Sequence, residues 1–114
     1  MHELGIVFHI MDGVERVAAE NQLAKVSAVV LELGEVSGVV PDYLTDCWKW
    51  AAAKSELMSG SELRVETLPA VTHCDGCGAD YPTVAHGRTC PRCGSGSTWL
   101  LTGNEVNIKE IEAY

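Results

Sequence analysis

Four of the five cysteines in this 114-residue chain form two closely spaced pairs, each in a Cys-x-x-Cys motif. Twelve residues separate the first pair from the second, and a glycine follows each pair directly. Two thiolates three positions apart on a tight turn bind one metal ion, and a second such turn completes a tetrahedron. The spacing therefore predicts one metal site made of four thiolates. Its ligands are Cys74, Cys77, Cys90 and Cys93.

The sulfur ligand set favours zinc at this site. Iron is the competing interpretation, because rubredoxins use similar paired motifs and tetrahedral sulfur geometry admits either metal. Two disulfides or four free thiols are less consistent with the spacing in a reducing compartment. Four thiolates fill the coordination shell of zinc and leave no position for water or substrate, so the predicted role is structural. A module of about two dozen residues has too little apolar area to fold alone, so we expect the metal to form its core.

The N-terminal tripeptide Met1-His2-Glu3 is a second candidate metal site. His2 is a large residue, so we expect Met1 to be retained. The Met1 amine, the deprotonated backbone nitrogen of His2 and the His2 imidazole can then close adjacent chelate rings, with the Glu3 carboxylate beside them. Nitrogen-rich ligands suit nickel or copper. The residues alone leave open the alternative that this is an ordinary solvated tripeptide.

Other residues with reactive or aromatic side chains receive structural interpretations. Cys47 lies in the periodic apolar face of a predicted helix and is expected to be a small buried residue. His73 adjoins the first cysteine pair and is expected to be a solvent-exposed neighbour. The three tryptophans, at 48, 50 and 99, are expected to pack rather than to bind bases. We find no nucleotide-binding, metalloprotease or serine-hydrolase motif, so the sequence does not indicate an enzyme.

The pattern of apolar residues predicts two helices and four strands outside the cysteine-rich stretch. The predicted helices cover 4–20 and 41–55, and the predicted strands cover 26–33, 62–66, 99–101 and 106–111. The order strand, helix, strand over 26–66 favours a parallel pairing of the two strands on either side of the helix. We expect the last strand to return to the sheet of the first. The predicted fold is therefore α+β: a small mixed β-sheet with two helices, formed by 1–70 and 104–114, and an inserted ribbon at 71–103.

Composition limits the classes of partner. The chain is 46% hydrophobic and 21% charged, which is enough apolar material for a folded domain. A net charge of -8 and a pI of about 4.8 have the wrong sign for neutralising phosphates, so nucleic acid is not an expected partner. No stretch approaches the ~20 apolar residues of a membrane span. The start of the chain does not read as a signal peptide, and a cytoplasmic location is expected.

Several segments together resemble the HypA/HybF family of hydrogenase nickel-insertion proteins. They are Met1-His2-Glu3-Leu4, the stretch 29–37 that ends Leu-Gly-Glu-Val-Ser, the two cysteine pairs, and Gly103-Asn104-Glu105. The resemblance extends over essentially the whole chain. It implies a mixed α/β nickel-binding domain with an inserted zinc ribbon, nickel at Met1, His2 and Glu3, and zinc at the four paired cysteines. Some relatives supply a further carboxylate where this chain has Val40; Asp42 is nearby.

The resemblance also implies a function. The chain would be a nickel metallochaperone that carries Ni(II) as transient cargo to the large subunit of a nickel–iron hydrogenase, with structural Zn(II) in the ribbon. It would not be an enzyme, and it would cooperate with a nickel-handling GTPase of the HypB type. A homodimer is left open. The alternatives are a zinc-ribbon adaptor that binds protein without transferring nickel, and a rubredoxin-like electron carrier.

Overall fold

The computed structural model describes residues 3–114. The helices in this part of the chain are α1 (Glu3–Asn21), α2 (Pro41–Ala52) and α3 (Thr83–His86). The strands are β1 (Val26–Gly34), β2 (Glu62–Leu68), β3 (Val71–Cys74), β4 (Asp80–Pro82), β5 (Thr98–Thr102) and β6 (Val106–Ala113). The mixed α+β fold class predicted from the sequence is confirmed. The sequence analysis missed β3, β4 and α3.

The first sheet has the strand order β2-β1-β6. The Val26 amide at the start of β1 donates to the Leu57 carbonyl (2.9 Å), just before β2. The amide of Glu35, just after β1, donates to Leu68 (2.8 Å) at the end of β2. The starts of the two strands therefore lie together, as do their ends, so β1 and β2 run parallel. This confirms the parallel pair predicted around α2.

The last strand, β6, pairs with β1 in the opposite direction. The amide of Lys25 donates to the Tyr114 carbonyl (2.9 Å), and the amide of Gly34 donates to the Glu105 carbonyl (2.7 Å). The beginning of β1 therefore meets the end of β6. The predicted return of the final strand to the first sheet is confirmed, and β1 becomes the central strand.

Two compact units make up the chain. One comprises 1–32, 39–66 and 107–114; the other comprises 33–38 and 67–106. The first unit contains α1, α2 and most of the first sheet, and the second contains the four paired cysteines.

The core of the first unit is built around β1, whose side chains are buried on both faces of the sheet. A β-branched and aliphatic sequence with few polar residues is typical of such a strand. The helices α1 and α2 pack against each other. Trp48 of α2 is 1% exposed, and its indole nitrogen donates to the Ser61 hydroxyl at 3.1 Å. The predicted packing role of Trp48 is therefore confirmed.

Two ion pairs link β2 and β6 across the central strand. Lys109 donates to Glu66 at 2.7 Å, and Arg64 pairs with Glu112. The hydrogen bond to Glu66, with its negative charge, raises the pKa of Lys109. All four side chains are about half exposed, so solvent screening leaves each pair a small share of the stability.

The second unit contains an antiparallel sheet with the order β4-β3-β5. In β3, Thr72 lies opposite Tyr81 of β4 and opposite Leu100 of β5. The register with β5 shifts between Val71 and Thr72, which marks a bulge. The strand predicted at 99–101 is β5, whereas β3 and β4 are only four and three residues long, which is too short for an alternating pattern to distinguish them in the sequence.

Three segments of the second unit meet where the backbones of Gly34 and Gly103 approach each other. A Cβ atom added to Gly34 would lie 2.0 Å from the Gly103 carbonyl oxygen. The neighbouring Glu35 accepts a hydrogen bond from the Ala70 amide at 2.9 Å through its side chain. The Leu-Gly-Glu-Val-Ser stretch is therefore a packing motif, in which glycine permits the contact and glutamate satisfies a backbone donor.

We expect Gly34→Ala to lower the free energy of unfolding by more than about 3 kcal/mol, because backbone atoms cannot move aside for the new methyl group. Gly38→Ala is the matched control: Gly38 has φ of +80° but open space around it. Gly38→Ala should lower the free energy of unfolding by about 1 kcal/mol, because the alanine must only adopt a left-handed backbone conformation. Denaturant unfolding of both variants measures the difference. Equal losses would contradict the close approach.

Candidate metal centre

The four paired cysteines form one cluster in the structure. Their sulfur atoms all lie within 4.8 Å of one another. Cys74 Sγ lies 3.6 Å from Cys93 Sγ, and Cys77 Sγ lies 3.7 Å from Cys90 Sγ. These distances are far longer than the ~2.05 Å of a disulfide. They match the spacing of about 3.8 Å that four sulfurs adopt around a tetrahedral ion bound at ~2.3 Å. The arrangement is a four-cysteine metal site.

Each cysteine pair lies on a turn with the same backbone pattern. The Gly78 amide donates to the Cys74 carbonyl at 2.8 Å, and the Gly94 amide donates to the Cys90 carbonyl at 2.9 Å. The two glycines have φ of +77° and +75°, a left-handed conformation that glycine adopts without a steric penalty. Both turns thus fold their two sulfur atoms toward one point through local hydrogen bonds.

The cluster is buried on one side and open on the other. Cys74 and Cys90 are 0% and 2% exposed, and with Tyr81 they form a small core. Cys77 and Cys93 are exposed. The Tyr81 hydroxyl donates to the Gly87 carbonyl at 2.9 Å, which satisfies its polar end. Sequence analysis missed Tyr81; its only signal is an aromatic residue between the cysteine pairs.

The protein environment shifts the pKa values of two thiols in the cluster in opposite directions. Burial raises the pKa of the Cys90 thiol, but backbone amides of Cys93 and Arg92 and the neighbouring thiols outweigh it and lower the pKa to about 6. At Cys93 the Ser95 amide lowers the pKa, yet the other three thiols outweigh it and raise the pKa to about 12. Because thiolates are the ligands and the four thiols hydrogen-bond to one another, the cluster gives up its protons as a unit, and a bound cation favours the ionised form.

His73 lies beside the cluster without joining it. Its Nδ1 is 2.6 Å from Asp80 Oδ1, and its ring centroid is 5.4 Å from that of Trp99. The Trp99 indole nitrogen donates to Asp75 at 3.1 Å. As expected, His73 is a neighbour of the cluster and not a member of it. Its side chain is only 28% exposed, because a carboxylate and an indole ring contact the imidazole.

The N-terminal candidate site is described only in part. Met1 and His2 lie outside the described residues. Glu3 is the first residue of α1, and its Oε1 accepts a hydrogen bond from the Val40 amide at 3.5 Å. Val40 is the residue before α2, and Asp42 lies in the first turn of that helix. The Glu3 carboxylate is therefore placed at the start of α2.

Two further predictions about the apolar residues need correction. Cys47 is only partly buried and lines an open groove of about 300 Å³ with Leu4, Asp46 and Trp50. Trp50 and Trp99 are 53% and 50% exposed, so neither is a core residue. Lys54 places its ammonium group 3.7 Å from the Trp50 ring centroid, a cation–π contact that an apolar periodicity does not reveal.

An α+β unit joined to a small antiparallel sheet with four cysteines clustered like those of a zinc ribbon defines a class of metal-binding protein. A family model described as "Hydrogenase/urease nickel incorporation, metallochaperone, hypA" matches residues 1–113. The chain belongs to this HypA family, as the resemblance in the sequence predicted. The family is one of metallochaperones.

Curated relatives are similar in sequence to this chain over nearly their whole length. The hydrogenase maturation factor HypA of Chlorobium phaeobacteroides is 39% identical over 111 residues, which are 97% of each chain. The factor of the same name from Geobacter metallireducens is 34% identical over 112 residues, which are 98% of each chain.

The solution structure of the nickel metallochaperone HypA from Helicobacter pylori has a similar fold. It superposes with a TM-score of 0.76 at 23% identity, covering 99% of this chain and 97% of that one.

No helix in the described part of the chain has the length and apolar character needed to cross a membrane.

We expect Cys74→Ser to abolish stable metal binding at the cluster, because a buried thiolate is lost from a site that has no spare ligand among the described residues. Cys47→Ser is the control, since it removes a thiol outside the cluster. Metal per chain, measured by elemental analysis after dialysis, should fall only in Cys74→Ser. Loss of metal in Cys47→Ser would contradict the assignment.

Proposed function

We propose that this chain is a nickel metallochaperone that receives Ni(II) at Met1, His2 and Glu3 and delivers it to the large subunit of a nickel–iron hydrogenase. The observation that carries the proposal is the family match over residues 1–113, which includes the N-terminal tripeptide. The curated relatives named above, all hydrogenase maturation factors, also support it.

Nickel is the cargo in this proposal, so its ligands must release it. The Met1 amine, the His2 nitrogens and the Glu3 carboxylate supply nitrogen and oxygen donors of the kind nickel binds well. Within residues 3–114, one oxygen of Glu3 accepts from the Val40 amide and the other has no hydrogen-bond partner. The Val40 contact is long for a hydrogen bond, and it leaves the carboxylate able to bind the metal.

Zinc is the resident ion that we propose for the cysteine cluster. The sulfur spacing of 3.6–3.7 Å and the four-thiolate donor set fit a tetrahedral zinc ion. Zinc supplies positive charge and a cross-link between the two turns when it is bound. The chain itself holds the four sulfur atoms in position through the paired backbone hydrogen bonds of those turns.

We further propose that the nickel-binding domain comprises 1–70 and 104–114 and the zinc ribbon 71–103. A nickel-handling GTPase of the HypB type would supply the nucleotide hydrolysis for which this sequence has no motif. The division suits the two metals, because cargo needs exchangeable ligands and a structural ion needs a closed shell.

We expect His2→Ala to remove stoichiometric nickel binding, because the imidazole is a ligand and its loss breaks a chelate ring. His9→Ala is the matched control, since it removes an exposed histidine of α1. Calorimetric nickel titration of the zinc-loaded, untagged chain compares the two variants with the wild type. Nickel binding retained by His2→Ala would contradict the ligand set. Absence of a nickel site in the wild type, with one zinc per chain, would favour the protein-binding adaptor.

We expect one extra residue before Met1 to weaken nickel binding by at least about tenfold, because the terminal amine becomes an amide. The same titration on chains with and without the added residue measures this. The four-cysteine site should keep its metal in both chains, which controls for folding. Equal nickel affinities would show that the terminal amine is not a ligand.

A further inference from the structure

The second unit contains a cavity of about 470 Å³ that is separate from the cysteine cluster. This volume is in the range of ligand-binding pockets. Its wall is formed by residues of β3, α3 and β5, by the segment between α3 and β5, and by Val36. The polar part of the wall consists of three threonines and one arginine: Thr72, Thr83, Thr98 and Arg88.

The segment that carries Arg88 is fixed to the sheet by two side-chain hydrogen bonds. The Tyr81 hydroxyl donates to the Gly87 carbonyl at 2.9 Å. The Thr98 hydroxyl donates to the Arg88 carbonyl at 2.7 Å. Gly87, with φ of +64°, ends α3 and turns the chain. The backbone at Arg88 is therefore held at the cavity wall, while the exposed guanidinium has no hydrogen bond or ion pair within residues 3–114.

The charges of the second unit leave this guanidinium without a local carboxylate. None of the unit's four acidic residues lines the cavity. The Glu35 carboxylate accepts a hydrogen bond from the Ala70 amide, and the Glu105 carboxylate accepts one from the Gly103 amide. Asp75 and Asp80 contact Trp99 and His73.

The threonine pair provides an additional donor at the wall. The hydroxyl oxygens of Thr72 and Thr83 lie 2.6 Å apart. One hydroxyl hydrogen makes that bond, and the second has no acceptor in the described part of the chain. Thr72 is 4% exposed, so its position is set by the fold. The cavity thus combines a guanidinium and a spare hydroxyl donor with no carboxylate acceptor.

The remaining wall is apolar. Val36 and Leu100 line it, together with Trp99, which is 50% exposed. Arginine presents a planar fork of donors that matches a carboxylate. We propose that the cavity binds a peptide segment of a partner protein in which a carboxylate side chain stands next to an apolar one. The carboxylate pairs with Arg88 and the threonine hydroxyl, and the apolar side chain contacts Trp99 and Leu100.

This site is independent of the nickel site, and its test needs no nickel. The probe is the acetylated, amidated peptide Gly-Leu-Glu-Leu-Gly, titrated into the metal-loaded full-length chain and followed by amide chemical shifts in NMR. We expect saturable shifts at Arg88, Thr98 and Leu100. The counterpart with Gln in place of Glu should bind at least about tenfold more weakly, because it lacks the charge-assisted pair.

Arg88→Gln should lower the affinity of the chain for the Glu peptide by about tenfold. Arg92→Gln should change that affinity by less than about twofold. Arg92 is the matched control because it is exposed, belongs to the same unit and does not line the cavity. Neither exchange touches a buried side chain, and the amide spectrum checks the fold. Equal binding of the Glu and Gln peptides, or unchanged binding by Arg88→Gln, would overturn the proposal. Equally tight binding of N-acetyl-leucine or inorganic phosphate at these amides would overturn the assignment to a peptide.

Discussion

The structure of the second unit depends on a positive charge that holds four sulfur atoms within 4.8 Å of one another. Four thiolates at this separation repel one another, and a bound cation converts the repulsion into a cross-link. The buried cluster around them contains only Cys74, Tyr81 and Cys90. With so small an apolar core, the unit needs metal-binding energy, which reaches on the order of 10–16 kcal/mol for structural zinc in small peptides.

The first unit is stabilised in a different way. Its central strand is buried on both faces, and α1 and α2 supply apolar side chains such as Val14 and Trp48. The hydrophobic effect can therefore hold this unit without a metal. The ion pairs between β2 and β6 are half exposed and add little. In the function proposed above, such a chain exchanges nickel at its N-terminus without unfolding, while the cysteine cluster keeps its ion.

The two proposed metal sites differ in the ligand chemistry that a retained ion and an exchangeable ion require. Four thiolates on preformed turns close the coordination shell, and two of them are buried. The N-terminal tripeptide offers amine, imidazole and carboxylate donors, of which the Glu3 carboxylate lies 3.5 Å from the Val40 amide nitrogen. The cavity beside Arg88 adds a third kind of site, in which a guanidinium and a hydroxyl face an apolar wall. Metal retention, metal transfer and partner recognition are thus assigned to different residues.

The sequence by itself determined the features that depend on local spacing. Two Cys-x-x-Cys motifs predicted the cysteine cluster, and helical periodicity predicted α1 and α2, because both patterns repeat within a few residues. Tertiary structure alone decided the contact of Gly34 with Gly103, the half-buried position of His73 and the exposure of Trp50 and Trp99. It also placed Arg88 at a cavity wall. Most of these outcomes depend on which distant segments pack together, and periodicity records only that a residue is apolar or polar, not which neighbour will cover it.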